Sequence, residues 1–277
     1  MTNKNIRVKM DKSEYISKFD SLILNPPIRE FYGQQEFFNV GYWQSETHNQ
    51  EEACFNLMEK LLDFIPEKQG IILDVGCGLG ATTSYLLKYY SPADVVGINI
   101  SARQIERSIV NAPGCKFICM DAVQMEFEDD FFDNIICVEA ALYFDTREKF
   151  LKEAWRILKP GGNLILSDII FENTQHFGDW IIPQGNNVKD IQEYKNLYQQ
   201  VGFQQVEFVG VTDECWLKHY RYLKSSIEEE FKAGKIDEQI YQTNVVGIDG
   251  LLDSSSIDYF LVSAKKPTKV ASPNFVF

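Results

Sequence analysis

The chain has 277 residues, 45% of them hydrophobic and 24% charged, which suits one α/β domain with modest insertions better than two full domains or a disordered chain. A formal net charge of −13, with no local run of Lys and Arg, leaves no basic face and argues against a nucleic-acid partner. The first fifteen residues, MTNKNIRVKMDKSEY, contain no apolar stretch of signal-peptide type, and no later run approaches the ~20 residues of a membrane span. A cytoplasmic protein without stable membrane insertion is expected.

Residues 1–65 are aromatic-rich and irregular at first, with FYGQQEFFNVGYWQ (31–44) read as a folded loop or lid. A helix follows from Gln50 to Ile65, where Phe55, Met58, Leu61, Leu62 and Ile65 recur at helical spacing and Pro66 ends the pattern. An alternating series comes next: strand 71–75, a glycine turn, a helix through Tyr90, strand 95–100, a helix opened by Ser101 and Gln104 as a capping box, strand 116–120 and strand 134–138. An amphipathic helix over 146–158 stops at Lys159-Pro160-Gly161-Gly162, and strand 164–167 follows. Beyond Asp168 come a helix at 188–201, a strand at 206–211, a helical insertion over about 212–233 and a last strand at 257–265. The rhythm predicts a Rossmann-like, seven-stranded, mainly parallel sheet with helices on both faces. The organisation read from it is a lid segment (1–65), a core (66–267) carrying a substrate cap at about 170–250, and a tail (268–277).

Six cysteines stand at 54, 77, 115, 119, 137 and 215. Cys137 lies in an apolar run, where cysteine behaves as a small hydrophobe, and no His or Cys cluster completes a zinc site around Cys115 and Cys119, so no metal is expected.

The turn Leu73-Asp74-Val75-Gly76-Cys77-Gly78-Leu79-Gly80 joins a strand to a helix, and its glycines let the backbone approach a ligand closely. Its third glycine comes two residues after the second, not three as in dinucleotide sites. With VVGINIS (95–101), Asp121-Ala122 and LKPGGNLILSD (158–168), this turn resembles the ordered motifs of class I S-adenosylmethionine-dependent methyltransferases over residues 70–170. NVGYW before the core, and WIIP with a later helix ending in VGF, resemble the small-molecule branch of that class. This branch includes sugar O-methyltransferases of antibiotic pathways and tocopherol-type enzymes.

The resemblance implies S-adenosylmethionine as cofactor and a role for each matching position. Asp74, Gly76, Cys77 and Gly78 would shape the turn around the methionine part. Asn99 and Ile100 end the second strand, where the family usually places Asp or Glu on the ribose hydroxyls; an amide there lacks the charge that strengthens such bonds. Gln104 would help at the ribose. Asp121 would accept from the adenine amino group with the Ala122 amide nearby, and Glu139 would face the methionine end or the substrate. Tyr32, Tyr42 and Trp43 would close over the cofactor. Each of these also has a plain structural reading as strand end, cap or packing residue.

For the chemistry, Tyr143 stands where related enzymes place a His; with a side-chain pKa near 10 it suits orienting an acceptor, and it could equally pack in the pocket. Asp168, at the carboxyl edge of the sheet, is a candidate base or orienting group, or else a cap. His176 and His219 fall in the insertions that would roof the pocket, where a base or a surface histidine are both open; His48 reads as surface. The leading reading is methyl transfer to N or O of a hydrophobic or aromatic small-molecule metabolite by a monomer or homodimer. The alternatives are C-methylation of a prenylated quinone or tocopherol-like ring, and cofactor binding without catalysis.

Overall fold

The computed structural model describes residues 12–171, 182–252 and 257–268. Its seven strands are β1 (Ile72–Val75), β2 (Val95–Asn99), β3 (Lys116–Cys119), β4 (Phe132–Val138), β5 (Leu158–Phe171), β6 (Gln204–Gly210) and β7 (Ile257–Lys265). They form one sheet in the order β3-β2-β1-β4-β5-β7-β6, in which only β7 runs antiparallel to its neighbours. The chain order reverses at β1, between β2 and β4, and the carboxyl ends of those strands open the crevice where α/β sheets bind ligands. All four β1 residues are buried, as expected for a parallel strand covered on both faces.

Nine helices are described: α1 (Lys12–Ile23), α2 (Pro26–Phe31), α3 (Gln50–Leu62), α4 (Ala81–Leu86), α5 (Ala102–Asn111), α6 (Arg147–Ile157), α7 (Ile191–Val201), α8 (Lys218–Lys232) and α9 (Glu238–Leu252). Side-chain oxygens of Asn49, Ser101, Thr146 and Asp190 cap α3, α5, α6 and α7. Two clusters make the core. One gathers Leu73, Ile135, Leu164, Tyr194 and Phe260; the other packs Leu57, Met58, Leu61 and Leu62 of α3 against Ile72, Ile136 and Ile165.

The structure departs from the sequence reading in three places. The Lys159–Gly162 segment does not end an element: β5 continues through it, because Gly161, at φ +85°, bends the strand while its amide still bonds Lys266. The helix expected to reach Tyr90 stops at Leu86, and Leu87 to Tyr89 continue with shorter i→i−3 bonds. Finally, α9 was hidden by Gly247 and Gly250. It is held on α8 by Phe231 stacked on Tyr241, with ring centroids 4.4 Å apart, and by a Lys224–Asp249 ion pair.

Candidate active site

The turn after β1 carries Gly76, Gly78 and Gly80 at φ +76°, +54° and +88°, conformations that side-chain-bearing residues avoid. Asp74, buried beneath it, accepts from Thr82 and Thr83 Oγ1 at 2.6 Å each, tying β1 to the first turn of α4; burial raises its carboxyl to about 6. The Gly76 and Cys77 amides are spent on Ile98. A Cβ on Gly76 would sit 2.5 Å from that of Ala140, and one on Gly80 would strike Ser108, so those glycines serve packing. At Gly78 nothing lies within 4 Å, and this glycine faces open space. Cys77 is buried, with its thiol raised by desolvation and near Ser108 and Thr83.

At the end of β2, Asn99 accepts from the Ser101 amide and donates to Gln104 Oε1 at 3.0 Å. The capping box is therefore half made. Ser101 Oγ accepts from the Gln104 amide, but the Gln104 side chain turns to Asn99 and, through Nε2 at 2.9 Å, to Asp20 of α1. Ile100 follows, partly buried. After β3, Asp121 is half-buried; its Oδ1 accepts from the Val123 amide and its Oδ2 from Lys12 of α1 at 2.6 Å, while Ala122 is buried beside it. An open groove of about 550 Å³ runs along the Ile118–Glu126 segment to Glu153 and Arg156 of α6.

Glu139 terminates β4 in a left-handed conformation, φ +48°, unusual for a residue with a side chain. The strand ladder enforces it, since the Glu139 amide donates to Ser167 O at 3.0 Å. Both hydrogen bonds to its carboxylate fall on Oε1: Tyr259 OH at 2.6 Å and the Val40 amide at 2.9 Å. Among the described residues no donor reaches Oε2. Desolvation, against these two hydrogen bonds, raises the carboxyl to about 7. Tyr32, Tyr143 and Tyr220 stand close enough for Glu139 to help keep their phenols protonated, with burial the larger cause in each. Tyr143 closes a short 3₁₀ turn (Ala141–Tyr143), and its ring meets Phe19 of α1 edge-on at 4.8 Å.

Several expectations are corrected here. Asp168 is wholly buried and clasped by Arg147 Nε and Nη2 at 2.7 and 3.1 Å and by Tyr194 OH at 2.8 Å. It ties β5 to α6 and α7 and is not open to a substrate. Tyr42 packs against α3 under Lys60, and Trp43 is buried, its Nε1 on Val40 O and its ring 4.5 Å from Tyr222. The NVGYW segment thus works through its backbone: Gly41, at φ +74°, lets the chain press against Ala53 of α3, and Val40 is thereby brought to Glu139. His219 is buried, not superficial. Gln50 Nε2 donates to Asn39 O, so Gln50 Oε1 accepts from His219 Nδ1 at 2.8 Å, and desolvation lowers the imidazole to about 3. His48 is exposed. His176 lies outside the described residues.

Residues 73–166 match the family model described as a methyltransferase domain. The chain is 29% identical over 262 residues to the erythromycin 3''-O-methyltransferase of Saccharopolyspora erythraea, covering 83% of this chain and 84% of that one. It is 25% identical over 253 residues to the 27-O-demethylrifamycin SV methyltransferase of Amycolatopsis mediterranei, covering 84% and 90%. Its fold superposes with a TM-score of 0.71 on a Haemonchus contortus phosphoethanolamine N-methyltransferase 2 in complex with phosphomonomethylethanolamine and S-adenosylhomocysteine. That likeness is at 18% identity and covers 92% of this chain and 61% of that one.

Residues 73–166 carry a methyltransferase domain, and the seven-stranded sheet with its switch-point crevice and glycine turn is the Rossmann-like α/β fold of S-adenosylmethionine-dependent methyltransferases. The erythromycin and rifamycin methyltransferases align with more than four fifths of the chain. The residues fit the cofactor on one observation above all: a glycine in the left-handed region, Gly78, whose missing side chain leaves space that nothing among the described residues fills. No helix among the described residues is long and apolar enough to cross a membrane.

Proposed function

We propose that the chain methylates a hydroxyl oxygen of a hydrophobic secondary metabolite, and that Glu139 is the group that receives the hydroxyl proton. The observation that carries this is the Glu139 carboxylate: one oxygen is pinned by Tyr259 and Val40, the other has no donor among the described residues, and the pKa lies near 7. A base works best when its pKa approaches the operating pH. His219, lowered to about 3, is too weak a base, and Asp168 is locked in its ion pair.

In this reading Gly76, Cys77 and Gly78 with Asp74 beneath them hold the methionine part of the cofactor. Asn99, Ile100 and Gln104 border the ribose, and Asp121 with the Ala122 amide holds the adenine. When bound, S-adenosylmethionine supplies an electrophilic methyl group. The protein's own work is to seat the acceptor hydroxyl on Glu139 Oε2, to keep water out with the aromatic wall of Tyr32, Tyr143 and Tyr220, and to orient the acceptor through those phenols. Tyr143 is assigned the orienting role and not that of a base, since burial keeps it protonated. The helices α8 and α9 form the acceptor's cap.

The acceptor class is supported by the erythromycin and rifamycin relatives, whose names place the methyl group on oxygen. The net charge of −13 supports the absence of a nucleic-acid partner, and six free cysteines support a cytoplasmic location, with the chain a monomer or homodimer. The test is incubation of the purified chain with S-adenosylmethionine and a panel of macrolide, polyketide and phenolic hydroxyl acceptors, read by mass. A methyl gain that maps to oxygen and collapses in Glu139→Gln is expected. A methyl placed on ring carbon, or full turnover by Glu139→Gln, refutes the reading.

A further inference from the structure

We infer that Asp20, carried by the N-terminal helix α1, is the carboxylate that grips the ribose hydroxyls, standing in for the acid that β2 lacks. Position 99 is an amide, and both ends of that amide are engaged with its neighbours: Oδ1 with the Ser101 amide and Nδ2 with Gln104. The polar groups around it converge on a single charge. Ser101 Oγ donates to Asp20 Oδ1 at 2.7 Å and Gln104 Nε2 donates to the same oxygen at 2.9 Å, across more than 80 residues of chain. Asp20 is 3% exposed and, among the described residues, meets no cation, a costly placement for a carboxylate unless further donors reach it. Among the described residues no donor reaches Oδ2, and a vicinal diol supplies two.

The rest of α1 agrees with this placement. Two turns earlier, Lys12 touches Asp121, and Phe19, next to Asp20, lies against Tyr143. One helix therefore spans the ribose position, the adenine position and the acceptor wall.

The test is calorimetric titration with S-adenosylhomocysteine and with its 3′-deoxyribose analogue. Wild type should bind the analogue about tenfold more weakly, the usual worth of a hydrogen bond to a charged group. Asp20→Asn should bind S-adenosylhomocysteine about tenfold more weakly than wild type, and should tell the two ligands apart by less than twofold. Asn99→Asp in the Asp20→Asn background returns a carboxylate to the ribose and should recover most of the lost affinity. Limited trypsinolysis gives a readout that needs no variant: S-adenosylhomocysteine should protect the Lys18 bond in α1, and the 3′-deoxy analogue should not. Unchanged affinity in Asp20→Asn, an equal loss for both ligands in that variant, or equal protection of Lys18 by both ligands overturns the inference. Failure of wild type to bind S-adenosylhomocysteine at all would instead strike the cofactor assignment itself.

Discussion

Replacing Glu139 by Gln is the sharpest perturbation, because its consequences for stability and for rate have different signs. The Gln oxygen can still accept from Tyr259 and Val40, so the local bonds survive while the titrating proton is removed. In the folded wild type the carboxyl titrates near 7 rather than at its ordinary 4.5. Between those values the folded chain holds a proton that the unfolded chain has released, so stability falls as pH rises through the window. The displacement is worth at most about 3 kcal/mol, absent below pH 4.5 and complete above 7. Asp74, raised to about 6, tilts both proteins alike, so the difference between variant and wild type isolates Glu139. Glu139→Gln should therefore gain on wild type between pH 5 and 8, by roughly 6–12 °C in Tm for a domain of this size.

The rate should move the other way. Wild-type kcat/KM should climb with pH, inflecting near 7 as Glu139 deprotonates and levelling off above it, and Glu139→Gln should lose about 10²–10⁴-fold and the inflection with it. The groups facing Glu139 do not supply a substitute: Tyr32, Tyr143, Tyr220 and Tyr259 all stay protonated, and Asp168 is paired with Arg147. Scanning fluorimetry across pH and a steady-state methylation assay decide it. A variant whose Tm tracks wild type at every pH, with the inflection near 7 intact, would show that Glu139 neither titrates nor acts as described.

Asp121→Ala should weaken S-adenosylhomocysteine by about tenfold in calorimetry with little change in Tm, since the ion pair it loses among the described residues is to Lys12, which is 58% exposed. Arg147→Met leaves Asp168 buried without its cation and should cost about 3–5 kcal/mol in urea denaturation; adding Asp168→Leu should return part of that loss. Gly78→Ala should fold with a penalty of about 1–2 kcal/mol for its backbone conformation and lose cofactor binding, because its Cβ enters open space. Gly76→Ala, by contrast, drives a Cβ to 2.5 Å from Ala140 and should destabilise the fold itself.

The sheet was legible in the sequence because parallel strands buried on both faces read as continuous apolar runs, and the last strand, Ile257–Lys265, was located to the residue. Helix starts were legible where a capping side chain announced them, as at Ser101 and Thr146. What escaped depends on tertiary context. The contacts of α1 lie with Ser101, Gln104, Asp121 and Tyr143, far along the chain. Nothing local in SKFDSL marks Asp20 as part of a site. Likewise, the aromatic side chains of NVGYW drew attention, while the segment's working contact is a backbone amide that no residue type advertises.

Asp168 and Glu139 show why position on the sheet could not assign the roles. Glu139 follows β4 and Asp168 lies within β5, both toward the carboxyl edge of the sheet and both carboxylates, yet their neighbours differ. Asp168 meets a guanidinium that matches both its oxygens, so its charge is satisfied and its side chain is immobilised. Glu139 meets only neutral donors, a phenol and an amide, and both are spent on one oxygen. Neutral donors offset part of the desolvation and no more, which leaves the carboxyl raised and its second oxygen available. The left-handed backbone at Glu139 adds a cost that the β4–β5 ladder over-determines, and strain of that kind collects where a side chain must be aimed. The pairing partner, contributed by Arg147 from another helix, decides which carboxylate is structural and which is free to take a proton.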